Sequence, residues 1–269
     1  MKKTFVCLLI AGALALAVNN SVEATGNSQK SDTVLSVGAT PVPHAELLNL
    51  VKNDLAAQGI TLKVVEFTDY VQPNVAVLSG DLDANFFQHI PYLESNPEWA
   101  SKLVSAFGVH VEPFGLYSQK YKKIEDLPNG ATIAIPNDPS NGGRALLLLK
   151  SKGLITLKNG VGLTATPHDV VSNPKNFHFQ ELEAAQLPRS LQDVDAATIN
   201  GNYALQAGFN PIKDSLIIEG ADSPYVNIVA VKKGNDQLPK IQALKKALLS
   251  QKVKDYITSH YNGGVAPVF

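Results

Sequence analysis

The sequence predicts an α/β protein of two lobes joined by a hinge that the chain crosses twice. Three observations carry that reading. From Thr33 onward, short β-rich runs alternate with amphipathic helical windows, the pattern of sheets with crossover helices. The pattern restarts near Ala131 after the charged stretch Lys120–Pro128, and each restart needs its own sheet. The last strand and helices, from Val226, are expected to pack back on the first lobe. The 269 residues are 45% hydrophobic, 17% charged and 7% aromatic, enough for a buried core and unlike disordered, fibrous or multi-span membrane chains. With 23 basic and 24 acidic residues, the net charge of −1 lacks the basic excess of a nucleic-acid binder.

The elements follow in order. Lys2 and Lys3 precede an apolar run from Phe5 to Val18, shorter than the ~20 residues that span a bilayer. Residues 1–24 therefore read as a signal peptide cleaved after Val22-Glu23-Ala24, with Ala15-Leu16-Ala17 as the rival site. The only cysteine, Cys7, falls inside it, so the mature chain is expected to hold no disulfide. Residues 25–32 are small and polar and read as a flexible leader. Thr33–Ala39 and Ile60–Phe67 read as strands around a helix, Ala45–Gln58, whose Leu47, Leu48, Val51 and Leu55 share a face and which Gly59 closes. A helix over Gln72–Ser79, a short strand at Ala84–Phe87, a helix from Pro97 to Phe107 and an extended run over Val109–Ser118 complete the first set.

In the second set, Ala131–Ile135 is a strand, Pro136–Gly143 a turn and Arg144–Lys152 a helix. Phe177–Leu182 and Asp195–Ile199 are strands flanking a helix at Ala184–Leu191. After a turn at Asp222-Ser223-Pro224, Val226–Val231 is a strand, and Ile241–Ser250 with Val253–Tyr261 are helices. Lobe one is thus 33–113 with 227–269, and lobe two is 114–226. A cleft between such lobes is where a ligand binds, at carboxyl ends of strands and N-termini of helices.

Candidate binding residues cluster in the loops that would face that cleft. Asn137–Arg144 follows an apolar strand and opens a helix. Ser140 or Asn141 is placed to cap it, Gly142 and Gly143 admit a close ligand, and Arg144 offers a fork of donors to one small anion. The lysine and hydroxyl of a phosphate loop are missing. A plain glycine-rich turn with a surface arginine is the competing reading. Phe86-Phe87-Gln88-His89-Ile90-Pro91-Tyr92, with Tyr70 one helix earlier, supplies rings for an apolar wall, although adjacent strand residues point to opposite faces and one of the two phenylalanines must be core. Asn200-Gly201-Asn202 follows a strand and Asn227 sits at the second crossing, amides that both donate and accept, as an amino acid requires. Six scattered histidines show no metal-ligand spacing, although His44, His89 and His110 share the first lobe. Signatures of a serine elbow, a catalytic cysteine and a dinucleotide fold are missing, so neither an enzyme nor a cofactor is expected.

The segments VGATPVPHAE (Val37–Glu46), DYVQPN (Asp69–Asn74), LDANFFQHIPYL (Leu82–Leu93), IPNDPSNGGRALLLL (Ile135–Leu149), LEAAQLPRSLQDVDAATINGNYA (Leu182–Ala204) and SPYVNIVAV (Ser223–Val231) occur in one order over Thr33–Phe269. Together they resemble the methionine-binding lipoproteins of the NlpA/MetQ type. The resemblance implies a type II periplasmic-binding-protein fold and a monomer. Its partners would be methionine or a related amino acid, L or D or within a dipeptide, and an ABC permease and ATPase at the inner membrane. By position it assigns Arg144 to the ligand carboxylate, Asn202 and Asn227 to the amino-acid head, and Tyr70, Phe87, His89 and Tyr92 to the side-chain pocket, with Phe86 and Asn141 in a second tier.

One departure is visible. The family's signal ends in a lipobox whose cysteine is acylated, whereas no cysteine follows Cys7 here. The expectation is a periplasmic protein cleaved by the ordinary signal peptidase, without a lipid anchor, from a cell with an outer membrane. The alternatives are a protein for another apolar amino acid and a metal-ion-binding transport component, the latter requiring His44, His89 and His110 to converge.

Overall fold

Strands occur at β1 (Thr33–Ala39), β2 (Ile60–Glu66), β3 (Ala84–His89), β4 (Leu103–Val111), β5 (Gly115–Tyr117), β6 (Thr132–Pro136), β7 (Thr156–Leu157), β8 (Val170–Ser172), β9 (His178–Leu182), β10 (Ala196–Ile199), β11 (Ile217–Ile218), β12 (Val226–Lys232) and β13 (Ala266–Pro267). The computed structural model describes residues 33–220 and 223–269. The expected signal peptide, its cleavage sites, Cys7, the leader and the first residue of the turn at Asp222 lie outside the described residues.

The strands form two larger sheets. The first runs β13-β4-β12-β3-β1-β2, with β2, β1 and β3 parallel and β12 antiparallel to both β3 and β4. The second runs β11-β5-β10-β6-β9, with β10, β6 and β9 parallel and β5 antiparallel to β10. All strands of the first sheet come from 33–111 and 226–267, and all of the second from 115–218, so the chain passes between the sheets twice. The α/β, two-crossing architecture read from the sequence is the one observed. A small hairpin, β7 with β8, was not foreseen.

Sheets built on parallel strands are covered on both faces, which is why their strands read as near-continuous apolar runs. Leu35, Val37, Ala39 and Phe86 face Leu47, Leu48, Ile241, Leu244, Leu248 and Ile257, while Phe87, Ile228 and Ala230 face Val77, Leu93 and Trp99 on the other side. Each such side chain contributes roughly 1.5–3 kcal/mol on full burial. In the second sheet, Ile133 and Ile135 face Leu146 and Leu149, and Ala197 and Ile199 face Leu187 and Leu191.

Three helices depart from the sequence reading with an identifiable local reason, beside smaller shifts such as that of the helix expected at Ala184–Leu191, which begins only at Leu187. The helix expected over Ala45–Gln58 is broken into α1 (Glu46–Leu50) and α2 (Lys52–Ala56), although its apolar face is buried as expected and Gly59 ends it at φ 75°. After α3 (Gln72–Ser79) and α4 (Ile90–Ser95), the helix expected from Pro97 to Phe107 stops at Lys102 as α5 (Pro97–Lys102). Leu103–Val111 instead pairs along β12, so strand pairing overrides the helical spacing. Next, α6 (Pro139–Ser151) starts five residues before Arg144, because Asp138 caps it and Pro139 takes its first position.

That earlier start corrects the expected N-cap, which is neither Ser140 nor Asn141. It also gives the glycines another purpose. A Cβ on Gly143 would sit 2.1 Å from the carbonyl oxygen of Leu163, so the residue lets the 163–165 segment lie against the helix. Five further α-helices follow among the described residues: α7 (Leu187–Ser190), α8 (Gly201–Gln206), α9 (Pro211–Asp214) and the pair α10 (Pro239–Leu248) and α11 (Gln251–His260) against the first sheet. No helix among the described residues is long and apolar enough to cross a membrane.

Candidate functional site

The carboxyl ends of β3, β4, β6 and β10 lie at the edges where the sheets meet, and the side chains that leave them enclose a small cavity. It is lined by Tyr70, Phe87, His89 and Tyr92 from the first-sheet half and by Asn141, Arg144 and Asn202 from the second. Asn227 lines it as well, from the start of β12. All seven first-tier residues named from the sequence are therefore brought together, as is Asn141. Phe86 is not among the lining residues and packs under the sheet, as alternation along a strand requires.

The first-half wall is made of rings in contact. Tyr70, Phe87 and Tyr92 have centroids 5.6–6.0 Å apart, in tilted or edge-on pairs. His89 ends this wall with both ring nitrogens engaged: the Tyr92 amide donates to Nδ1 at 3.1 Å, and Nε2 meets Asn141 Oδ1 at 3.1 Å. The ring therefore carries its proton on Nε2. Burial, reinforced by the nearby Arg144 charge, pushes its pKa down to about 3, so it is neutral.

The second-half wall is a chain of amides. Asp138 accepts both the backbone and the side-chain N–H of Asn141, so Asn141 Oδ1 turns to the cleft and accepts from His89 and, at 2.8 Å, from Asn200 Nδ2. Asn200 is thereby oriented with Oδ1 left over, buried and without a partner among the described residues. Asn202 is the complement: its Oδ1 accepts from Tyr70 Oη at 2.5 Å, and its buried Nδ2 has no partner. One unmet acceptor and one unmet donor thus sit in the same wall. Such atoms cost about 1–3 kcal/mol each when nothing meets them.

Arg144 is held in a way the sequence did not indicate. Its Nε and Nη2 edge binds Glu219 in a fork at 2.7 and 2.5 Å, and Nη2 also donates to the Glu112 carbonyl at 3.0 Å. The guanidinium lies 4.0 Å from the Tyr225 ring centroid and 4.9 Å from that of Phe114. Nη1 makes no hydrogen bond to the described residues. The fork expected to grip a ligand is occupied by a side chain 75 positions away, and Nη1 alone remains to be offered.

Asn200 and Gly201, from the amide loop that the sequence offered, also line the cavity, as do Glu112 and Gln88, to which the sequence reading gave no role. Glu112 follows an apolar strand and precedes Pro113, an acid where a core segment ends, which is a usable signal in retrospect. A Cβ on Gly201 would lie 2.6 Å from Glu112 Cβ, so glycine lets α8 begin against that carboxyl. Burial pushes the Glu112 pKa up, opposed by His44, the Asn202 amide and Arg144. His44 and His110 both turn Nε2 toward Glu112 Oε1, at 3.3 and 2.8 Å, and the three can approach one ion. His89 is not part of that group, so the convergence of His44, His89 and His110 that a metal-transport reading requires does not occur.

Besides the Arg144 bond to the Glu112 carbonyl, three hydrogen bonds among the described residues cross the cleft between the halves: Tyr70 to Asn202, His89 to Asn141, and Tyr203 Oη to the Thr68 carbonyl at 3.0 Å. The arrangement is that of two walls drawn together over a small enclosed volume.

The chain is similar to several known proteins over most of its length. The methionine-binding lipoprotein MetQ of Bacillus subtilis is 42% identical over 277 aligned residues, covering 100% of this chain and 99% of its own. The solved structure of a nutrient-binding protein from Burkholderia cenocepacia bound to methionine superposes with a TM-score of 0.84 at 47% identity, covering 87% of this chain and all of that one. An ABC transporter periplasmic substrate-binding protein from Coxiella burnetii superposes with a TM-score of 0.82 at 43% identity, over 87% and 99% of the two chains. The model of the NlpA lipoprotein family matches residues 35–269, and the chain belongs to that family.

Proposed function

We propose that this protein is the substrate-binding component of an ABC importer, that it captures methionine in the cleft between its two halves, and that it delivers the amino acid to a permease. The observation that carries the reading is the pairing of an unmet donor, Asn202 Nδ2, and an unmet acceptor, Asn200 Oδ1, with Arg144 and Glu112 on one side and three rings in mutual contact on the other. A zwitterion with an apolar tail satisfies all of these at once. Its carboxylate meets Arg144 Nη1 and Asn202 Nδ2. Its ammonium meets Asn200 Oδ1 and Glu112, and its thioether lies on Tyr70, Phe87 and Tyr92, where sulfur–ring contacts are favourable.

The halves act as two hinged lobes, 33–113 with 227–269 and 114–226. Opening breaks the three hydrogen bonds that cross the cleft, and ligand restores them, so the closed form is the one a permease is built to recognise. The protein works as a monomer in the periplasm and turns nothing over. The B. subtilis relative is named a lipoprotein, which stands against the unanchored form expected from the position of Cys7.

The test is calorimetric titration of the purified chain with L- and D-methionine, with thermal melts alongside. Binding of either stereoisomer at one site is expected, and a ligand at 100 times its Kd stabilises the fold by about 2.7 kcal/mol. No heat and no rise in Tm with either isomer would overturn the reading.

A further inference from the structure

Beneath Asn227 lies a buried relay that the binding reading does not use. Thr40 leaves the end of β1, and its Oγ1 is 2.7 Å from His44 Nδ1. His44 Nε2 is 3.0 Å from Asn227 Oδ1 and 3.3 Å from Glu112 Oε1. Thr40 and His44 are fully buried, and the His44 ring is fixed edge-on against Phe86, 4.6 Å between centroids. We propose that Thr40 and His44 are positioning residues that fix which end of the Asn227 side-chain amide faces the ligand.

The logic is one of protons. Nε2 faces a carboxylate oxygen and an amide end together. A lone pair there would repel the carboxylate, so Nε2 carries the hydrogen. Burial lowers the pKa of His44 to about 4, so the ring has no second proton and Nδ1 is an acceptor. The Thr40 hydroxyl, which can turn either way, therefore donates to Nδ1. The Nε2–H then requires an acceptor from Asn227, which sets Oδ1 toward the histidine and turns Nδ2 out as a donor. His110 makes the arrangement firm, because its Nε2 donates to Glu112 Oε1 at 2.8 Å and holds that oxygen in place. Glu112 thus decides the tautomer of His44, and the tautomer decides the amide of Asn227. With Asn202 Nδ2 and Arg144 Nη1, Asn227 Nδ2 gives three donors for a carboxylate, contributed from both halves of the fold.

This rests on the methionine reading, and the test separates the two. Nitrogen-15 NMR of the histidine rings in the ligand-free protein shows whether His44 is the Nε2–H tautomer, a measurement that needs no ligand. L-methionine affinity is then measured for His44→Phe, Thr40→Val, Asn227→Ala and the double variant His44→Phe/Asn227→Ala. His44→Phe is expected to weaken binding about three- to tenfold, the worth of one neutral hydrogen bond, and to add nothing once Asn227 is alanine. Thr40→Val follows in the same direction, and Thr40→Ser restores wild-type affinity. Should His44→Phe fail to fold, the Thr40 pair and the NMR tautomer decide alone. A His44 ring protonated on Nδ1, wild-type affinity in Thr40→Val, or losses that multiply in the double variant would overturn the relay. A wild-type protein that binds no methionine overturns the functional reading and leaves the tautomer test standing.

Discussion

On the wall contributed by the first sheet, Tyr70, Phe87 and Tyr92 touch one another ring to ring, and their contact with a ligand is a matter of shape. On the opposite wall, Asn141, Asn200, Asn202 and Arg144 have all but a few of their polar atoms already matched, and the remainder are fixed in number and direction. A ring surface forgives a ligand that differs by an atom. A buried amide does not, since the wrong group leaves it unpaired at full cost. The comparison says that this cleft reads the head of an amino acid strictly and its tail loosely.

The sharpest way to break that view is to remove the cation. Arg144→Ala is expected to weaken L-methionine binding by at least about 30-fold, because truncating one member of a buried charged pair costs roughly 2–5 kcal/mol. Glu219 would be stranded by the same change, so Arg144→Ala/Glu219→Gln is the variant in which a loss of affinity is not a loss of fold. Calorimetry on both, beside melting curves, settles it, and near-native affinity in a folded variant ends the assignment of Arg144 to the carboxylate.

The next effect is read on the ligand. N-acetyl-L-methionine loses the ammonium that Glu112 and Asn200 would meet, and should bind at least tenfold more weakly than L-methionine. L-norleucine, with a methylene for the sulfur, should lie closer, since a sulfur–ring contact is worth about 0.3–1.5 kcal/mol. The reverse order in a competition titration would exchange the roles of the two walls.

The two walls were also unequally legible. Rings at a strand end and a glycine-rich turn before Arg144 are local patterns, and alternation required one of Phe86 and Phe87 to be core, while only the family resemblance chose Phe87 for the pocket. The loop at Asn200–Asn202 was visible as amides after a strand. What escaped were pairings at long range. Nothing near Arg144 in sequence announces Glu219, and nothing near Glu112 announces His44, since each partnership joins segments of one half that are about 70 positions apart in the chain and meet only in the folded structure. The same long-range pairing took Leu103–Phe107 from the helix its spacing suggests into a strand along β12. Local periodicity thus revealed the sheets and the apolar wall, while the polar wall's spare atoms depend on contacts that only the fold creates.

A smaller effect separates Glu112 from the neutral amides around it. Burial holds its pKa above the usual carboxylate value, and a bound ammonium favours the ionised form. Binding therefore lowers that pKa and releases a proton where the pH lies between its free and bound values. Affinity then rises with pH through that window and falls as the pH is lowered, by up to about tenfold per unit. Binding heats in buffers of different ionisation enthalpy report the proton directly. His44 and His110, the groups nearest Glu112, are pushed down to about 4 and 3 and stay neutral above that range, so they do not confound the profile at pH 5 and above. Proton uptake on binding would contradict the role given to Glu112.

The smallest effect tests the seam between the walls. Tyr203 Oη donates to the Thr68 carbonyl across the cleft, yet Tyr203 does not line the inner cavity. Tyr203→Phe removes one neutral hydrogen bond from the closed form, about 0.5–1.5 kcal/mol, so affinity should fall roughly two- to tenfold, chiefly through faster release. Because that bond sees neither head nor tail, the factor should be the same for L-methionine and L-norleucine. Tyr70→Phe differs, since the Tyr70 hydroxyl also orients Asn202, and its loss should fall on any ligand carrying a carboxylate. If Tyr203→Phe discriminates between the two amino acids, closure and recognition are not separable in this cleft, and the two walls are one device rather than two.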